Sequence, residues 1–337
     1  MIKYYRKRRT AAILYAAMIF SVIVTVFGCK QTVYDKLAFC PKTDAAVVFV
    51  DVKESDCTFI KLPDGKNVLI DCGEYDKTNL SAIKAVLAYY GVQEIDYLIL
   101  STPLSEHTGN VPALVEEYNV KTAYIPYVYD KDLFPSFCAA KNALESCGAK
   151  VKTTSNDLSV SSAADDYVIA FLSPENFYVT DGAYAQMTLS ENPSAKQINN
   201  ISAIVYFEYA GVRFVFDGNA ETESETKVCQ AFKSGYYDAA FPSAAHRIDL
   251  YGIDVLKAGN HGGAQSNCED FLSMLAPSNA VISVGTNNKG NPATKTLAGL
   301  RTSNEYCNIY RTDYFGTVAV GVSSDGNYKF YHGGKIR

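Results

Sequence analysis

The sequence predicts an α/β chain built from two βα-rich halves, with sheets inside and helices outside. Three observations carry this: β-branched runs of strand length, apolar residues at helical spacing between them, and turn residues at the joins. Residues 46–50 (AVVFV) form a continuous apolar run, and a hairpin over 57–72 turns at Pro63-Asp64-Gly65. Ala82, Ala85, Val86, Tyr89 and Tyr90 recur at three- and four-residue spacing, which predicts a helix over 80–90. A buried strand follows at 96–101, a helix at 111–118 and a strand at 121–126. Residues 134–147 read as a helix ending at Gly148, a residue suited to a C-cap. Strands are expected near 149–153, 167–172, 201–208 and 211–217. The second half repeats the grammar: helices at 221–232, 268–275 and 294–301, strands at 254–257 and 279–284, and a β-rich end. Pattern alone leaves a four-layer αββα sandwich and a doubly wound sheet both open.

Charge divides the chain unevenly. Lys3, Arg6, Lys7, Arg8 and Arg9 sit in a stretch without acids, and without them 26 basic residues face 36 acidic ones. So acidic a body disfavours a nucleic-acid partner, because non-specific binding to phosphates rests on Lys and Arg contacts. The basic cluster runs into an uncharged apolar stretch, residues 11–27, and then Gly28-Cys29. Three readings stand. Residues 1–29 are a lipoprotein signal with Cys29 as the lipidated residue, an uncleaved membrane anchor, or a buried helix. Phe27 is bulky for the first reading, and the basic flank argues against the third. The two membrane readings make the membrane a partner through the N-terminus. They place the body on the extracytoplasmic face of a bacterial cell membrane. Residues 30–44 then form a linker, and 45–337 one domain.

Nine cysteines show no metal-type Cys-x-x-Cys spacing. A two-residue loop at Asp64-Gly65 sets Pro63 opposite Lys66 and, in the same register, Cys57 opposite Cys72. A cross-strand disulfide between Cys57 and Cys72 is one expectation, and two buried free thiols the other.

Three segments together carry a resemblance. The first is Phe49-Val50-Asp51-Val52 through Asp56 to Asp71-Cys72-Gly73. The second runs from Ile95-Asp96-Tyr97-Leu98-Ile99-Leu100-Ser101 through Thr102-Pro103-Leu104-Ser105-Glu106-His107-Thr108-Gly109-Asn110. The third pairs Phe216-Asp217-Gly218-Asn219-Ala220-Glu221 with 254–263, which ends in Lys257-Ala258-Gly259-Asn260-His261-Gly262-Gly263. In order and spacing they resemble the hydrolase-like domain of ComEC-type DNA-internalisation competence proteins, within the metallo-β-lactamase superfamily. The resemblance covers about 290 residues and implies the αββα sandwich.

The resemblance also implies a site of one or two zinc-like ions held by His and Asp, which turns water into hydroxide. Here the motif is heavily substituted. Thr102 and Leu104 stand where the family has His and Asp, Glu106 replaces a second Asp, and His107 is kept. Asn219 replaces the bridging Asp, and Asn260-His261 replaces a His pair. Loss of the carboxylates at 104 and 219 leaves two dications uncompensated. The expected cofactor is therefore none, or a single zinc or manganese ion on His107, Glu106 and His261. The alternative is two histidines satisfied by backbone in an empty cleft. Asp51, Asp56 and Asp71 are expected to support loops. His246 and His332 lie outside the motifs. Tyr124, Tyr127 and Tyr129 leave an aromatic binding face open, while β-propensity and half-burial explain most of the tyrosines. The leading expectation is a surface-displayed pseudo-enzyme whose cleft binds an unidentified ligand. The alternatives are a mononuclear metal-dependent hydrolase of phosphodiesters and an accessory of DNA uptake.

Overall fold

Strands whose residues are buried throughout need cover on both faces, and this chain supplies it by laying two sheets together. The computed structural model describes residues 43–128, 133–175, 193–242, 247–286 and 290–333. The N-terminal segment with Cys29 and Cys40, most of the linker, Tyr129 and His246 lie outside the described residues. No helix among the described residues is long and apolar enough to cross a membrane.

The first sheet contains β1 (Ala45–Phe49), β2 (Thr58–Lys61), β3 (Asn67–Ile70), β4 (Glu94–Ile99), β5 (Asn119–Ile125) and β6 (Lys150–Thr153), with β14 (Val318–Val322) and β15 (Tyr328–His332) from the C-terminal end. Its order is β15-β14-β1-β2-β3-β4-β5-β6. The second holds β7 (Ser159–Ser161), β8 (Tyr167–Phe171), β9 (Val205–Tyr209), β10 (Val212–Phe216), β11 (Val255–Lys257), β12 (Asn279–Ile282) and β13 (Asn308–Arg311). Its order is β13-β12-β11-β10-β9-β8-β7.

Alternation along each strand builds three cores. Val47, Phe49, Ile60, Val68 and Ile99 meet Phe171, Phe207, Phe214, Phe216 and Val281 between the sheets. The outer face of the first sheet packs under α1 (Lys77–Tyr89), α2 (Ser105–Thr108), α3 (Val111–Val115) and α4 (Pro135–Ser146); Val48, Leu69 and Leu98 meet Ile83, Leu87 and Leu114 there. The short α5 (Ala195–Asn199) precedes the second sheet's cover of α6 (Thr222–Lys233), α7 (Tyr236–Ala240), α8 (Glu269–Leu275) and α9 (Thr294–Ser303), with α10 (Thr312–Phe315) after β13. Val215, Leu256 and Ala280 pack against Val228, Phe271 and Leu300. Helix, sheet, sheet, helix is the four-layer αββα arrangement. The doubly wound alternative falls away because the chain makes two sheets.

One expected register shifts by a residue. Lys61 pairs with Asn67 and Thr58 with Ile70, so Cys57 falls beside Asp71 rather than Cys72. The cause is the loop: Leu62 N–H donates to Lys66 O (2.9 Å) and Gly65 N–H to Leu62 O (3.0 Å), enclosing three residues. Gly65 takes φ 90°, open to glycine at no steric cost. Cys57 and Cys72 are free, buried thiols, which corrects the expected disulfide. Burial pushes both thiols well above their ordinary value, which leaves little thiolate to react.

Strands β3, β4 and β5 run parallel, as do β10 to β13. The segments that follow their carboxyl ends carry Asp71, His107, Asn219 and His261, where ligands bind open α/β sheets, and Asp56 joins them from the loop between β1 and β2.

Candidate functional site

Asp71 follows β3 and turns the chain with φ 62°, a conformation few non-glycine residues adopt. Its N–H donates to Ile99 O (2.8 Å), and Cys72 N–H donates to His107 O (2.7 Å). So anchored, the carboxylate accepts the N–H and hydroxyl of Ser101, each at 2.7 Å. It also accepts His107 Nδ1 at 2.8 Å. His107 sits in α2, fully buried, and its Nε2 has no protein partner. Burial alone would lower the imidazole's pKa, but Asp71, Asp56 and Glu106 outweigh it and hold it raised.

His261 arrives on a tight turn, Gly259–Gly262, that follows β11. Asn260 (φ 48°), His261 (φ 54°) and Gly262 (φ 77°) are all left-handed. Each non-glycine residue there costs about 1–3 kcal/mol and persists only where its surroundings hold it. Asn260 N–H is held by Gly218 O at 2.9 Å, and His261 Nδ1 donates to Ser283 O at 2.9 Å. A Cβ on Gly262 would lie 2.7 Å from Pro292 Cβ, so the turn closes only on glycine. His261 Nε2 is buried without a protein partner, and burial lowers the ring's pKa.

Asp56, in the loop between β1 and β2, meets both histidines. Each of Asp56, His107 and His261 presents a ligand atom within 4.8 Å of the others. The outer carboxylate oxygen of Asp56 accepts Lys257 Nζ at 2.5 Å, while Oδ1 has no protein partner. Burial would raise the Asp56 pKa, but Lys257, His261 and His107 outweigh it and hold it at about 2.

The other sequence-predicted positions fall around this centre. Glu106 is not part of the group of three: its Oε1 accepts Asn219 Nδ2 at 3.3 Å. The carboxylate that meets the two histidines is Asp56. Adjacent residues on a helix point about 100° apart, so an inward His107 turns Glu106 elsewhere. Thr102 is buried with an unpartnered hydroxyl. Leu104 packs onto the helical side of the first sheet. Asn260 serves through its backbone, and Asp51 accepts Lys53 N–H at 3.3 Å and donates its own N–H to Thr317 Oγ1 at 3.0 Å. Sequence reasoning passed over Lys257 as a site residue. Its signal was a lone cation ending an otherwise apolar parallel strand.

These residues do not fit two metal ions. Leu104 offers no lone pair, and at 219 an amide that donates Nδ2 to Glu106 Oε1 stands in place of a charged carboxylate. They do fit one: Asp56, His107 and His261 are all buried and offer two imidazoles and one carboxylate, with a ligand atom of each within 4.8 Å of the others.

Residues 50–133 match the family model of the metallo-beta-lactamase superfamily. Over that segment the chain is similar to the metallo-beta-lactamase superfamily, and over most of its length it is similar in sequence to a ComEC-type protein. That relative is ComE operon protein 3 of Bacillus subtilis (strain 168), 25% identical over 295 residues, covering 83% of this chain and 33% of that protein. The chain thus spans about a third of the relative's length. Among solved structures it is similar to the CmlA beta-hydroxylase E377D mutant, with 10% identity and TM-score 0.49 over 84% of this chain and 55% of that one. It is also similar to Zn(2+)-bound PqqB from Methylobacterium extorquens, with 9% identity and TM-score 0.41 over 81% and 86%.

Proposed function

We propose that this chain is a membrane-tethered, extracytoplasmic relative of the ComEC hydrolase-like domain, whose cleft binds a ligand and does not carry out two-metal hydrolysis. The observation that carries the reading is the Asn219–Glu106 hydrogen bond of 3.3 Å. Two positions that the resemblance assigns to metal-holding carboxylates are here an amide and an acid joined by that bond. Thr102 and Leu104 remove two further ligands. The framework is nonetheless maintained at a cost, since Asp71, Asn260 and His261 all hold left-handed backbone. Strain kept in a cleft that has lost its chemistry argues that the cleft still binds.

The test is turnover of a phosphodiester, bis(p-nitrophenyl) phosphate, by the full-length chain in detergent with zinc or manganese. Rates at the buffer background are expected. Metal-dependent turnover lost in His107→Ala would overturn the reading.

The convergence of Asp56, His107 and His261 favours a second reading, a mononuclear phosphodiesterase-like hydrolase. A zinc-class ion supplies Lewis acidity in such a site. In that reading His107→Ala and His261→Ala each abolish activity. A role as an accessory of DNA uptake follows from the resemblance, and with so acidic a body it requires a partner that supplies the basic surface.

A further inference from the structure

We propose that β6, an edge strand of the first sheet, takes an extended peptide of a partner protein as the next strand, the peptide alternating acidic and aliphatic residues. This surface shares no residue with the cleft and does not rest on the reading given for it.

Among the described residues β6 (Lys150–Thr153) ends the sheet, with β5 on one side and no strand on the other. Thr154 N–H donates to Ile125 O at 2.9 Å. Backbone groups alternate sides along a strand, so Lys150 and Lys152 also face β5. The N–H and C=O groups of Val151 and Thr153 therefore project from the open edge. Side chains alternate between the two faces. Val151 packs toward the helical side of the sheet. Lys150 and Lys152 take the opposite face, where Lys152 Nζ lies 5.2 Å from the centre of the Tyr124 ring. Ile125, Phe137, Val151, Lys141 and Glu145 help to line a groove of about 280 Å³ between β6 and α4.

These features select the occupant. Added strands draw affinity from main-chain hydrogen bonds and specificity from pockets for alternate side chains. The groove takes an aliphatic side chain from the peptide residue beside Val151. Lys150 and Lys152 meet acidic residues on the other face, where opposite charges on neighbouring strands attract. Among the described residues neither lysine enters an ion pair, and Lys141 meets Glu145 only at 3.9 Å. In a body of 36 acidic and 26 basic residues, this edge is cationic. The sign of its charge excludes two other occupants. A second copy of β6 would set lysines against lysines, the device by which sheet edges repel one another. Residues 3–9 of this chain are themselves basic.

The experiment titrates the full-length chain in detergent into a fluorescein-labelled, amidated EVEVEVE peptide and reads anisotropy. Saturable binding of one peptide per chain is expected. The Lys150→Glu, Lys152→Glu double variant, checked for native circular dichroism, weakens it at least tenfold, and a KVKVKVK peptide does not bind. Two further peptides are methylated on the valine or on the glutamate backbone nitrogens. Only one of those sets can face β6, so one peptide binds at least tenfold more weakly and the other keeps its affinity. No saturable binding, full affinity in the double variant, binding of the lysine peptide, or equal affinity of the two methylated peptides overturns the proposal. Sedimentation of the chain alone is run beside it. A dimer that the double variant dissociates would give the edge to a second copy and overturn the proposal as well.

Discussion

Asp71 Oδ2 accepts the Nδ1 proton of His107 across 2.8 Å, and the same carboxylate accepts both the N–H and the hydroxyl of Ser101. One side chain on a left-handed residue thus ties the end of β3 to the loop after β4 and fixes which imidazole nitrogen faces the cleft. All the partners are buried, so their hydrogen bonds have no water to replace them.

Replacing Asp71 therefore has two separable effects. Asp71→Ala strands the Ser101 N–H and His107 and places alanine at φ 62°. A loss of about 3–5 kcal/mol is expected, the range for removing one member of a buried pair. Asp71→Asn tolerates the left-handed backbone and keeps one acceptor for Ser101, so it loses less. Urea unfolding of both variants measures the difference. Equal losses would show that backbone strain is irrelevant at this position.

Gly109 makes a different demand. Its φ is an ordinary −62°, but a Cβ there would lie 2.3 Å from Tyr75 N and 2.9 Å from Glu74 C. Backbone cannot rotate away as a side-chain tip can. Asn110 Nδ2 also clamps that loop through Cys72 O (2.9 Å) and Glu74 O (2.7 Å). Gly109→Ala is expected to cost about 1–3 kcal/mol by overpacking, read as a lower urea midpoint. A midpoint equal to the wild type would mean that the 73–75 loop yields freely.

What was legible in the sequence follows from which signals are local. The strands at 46–50, 96–101 and 254–257 are short apolar runs, and they appear within a residue or two as β1, β4 and β11. The hairpin register was not legible, because Pro63-Asp64-Gly65 suits a two- or a three-residue loop, and the choice moves Cys57 by one place. The carboxylate of the cleft was hidden for another reason. Asp56 and Lys257 are separated by 201 positions, and only the closing of the two sheets brings them together. Glu106, next to His107 in sequence, was the natural candidate until helical geometry turned it away. The short helices α5, α7 and α10 span at most five residues, too few for a periodic pattern to show.

Asp217 and Glu225 form a buried acidic pair. Asp217 follows β10, and Glu225 accepts the N–H groups of Asn267 and Cys268 just before α8. Burial and the nearby Glu225 carboxyl push Asp217 well above 3.8, with Lys257 pulling the other way; burial also raises Glu225. The folded pair therefore holds a proton that the unfolded chain releases at lower pH. Its stabilising contribution is full below the unfolded value and is lost as pH rises through the raised folded value. Urea midpoints are expected to fall as pH is raised from about 5, and Asp217→Asn, which stays neutral, flattens that fall. An unchanged slope in the variant would place the effect elsewhere.

The sharpest test of the substituted motif restores part of it. Asn219 is 1% exposed and donates to Glu106 across 3.3 Å. Asn219→Asp replaces that donor with a second carboxylate and leaves the two acids facing each other. In chelator the variant is expected to lose about 1–3 kcal/mol, since a buried charge loses its compensation while Glu106 keeps part of its solvent. A divalent cation between the two acids would reverse the sign. Zinc should then raise the variant's Tm by more than it raises that of the wild type, because a ligand stabilises in proportion to its binding to the folded state alone. Thermal unfolding with and without zinc decides the matter. If zinc shifts both proteins equally, the positions at 106 and 219 have lost the geometry of an ion site as well as its charge.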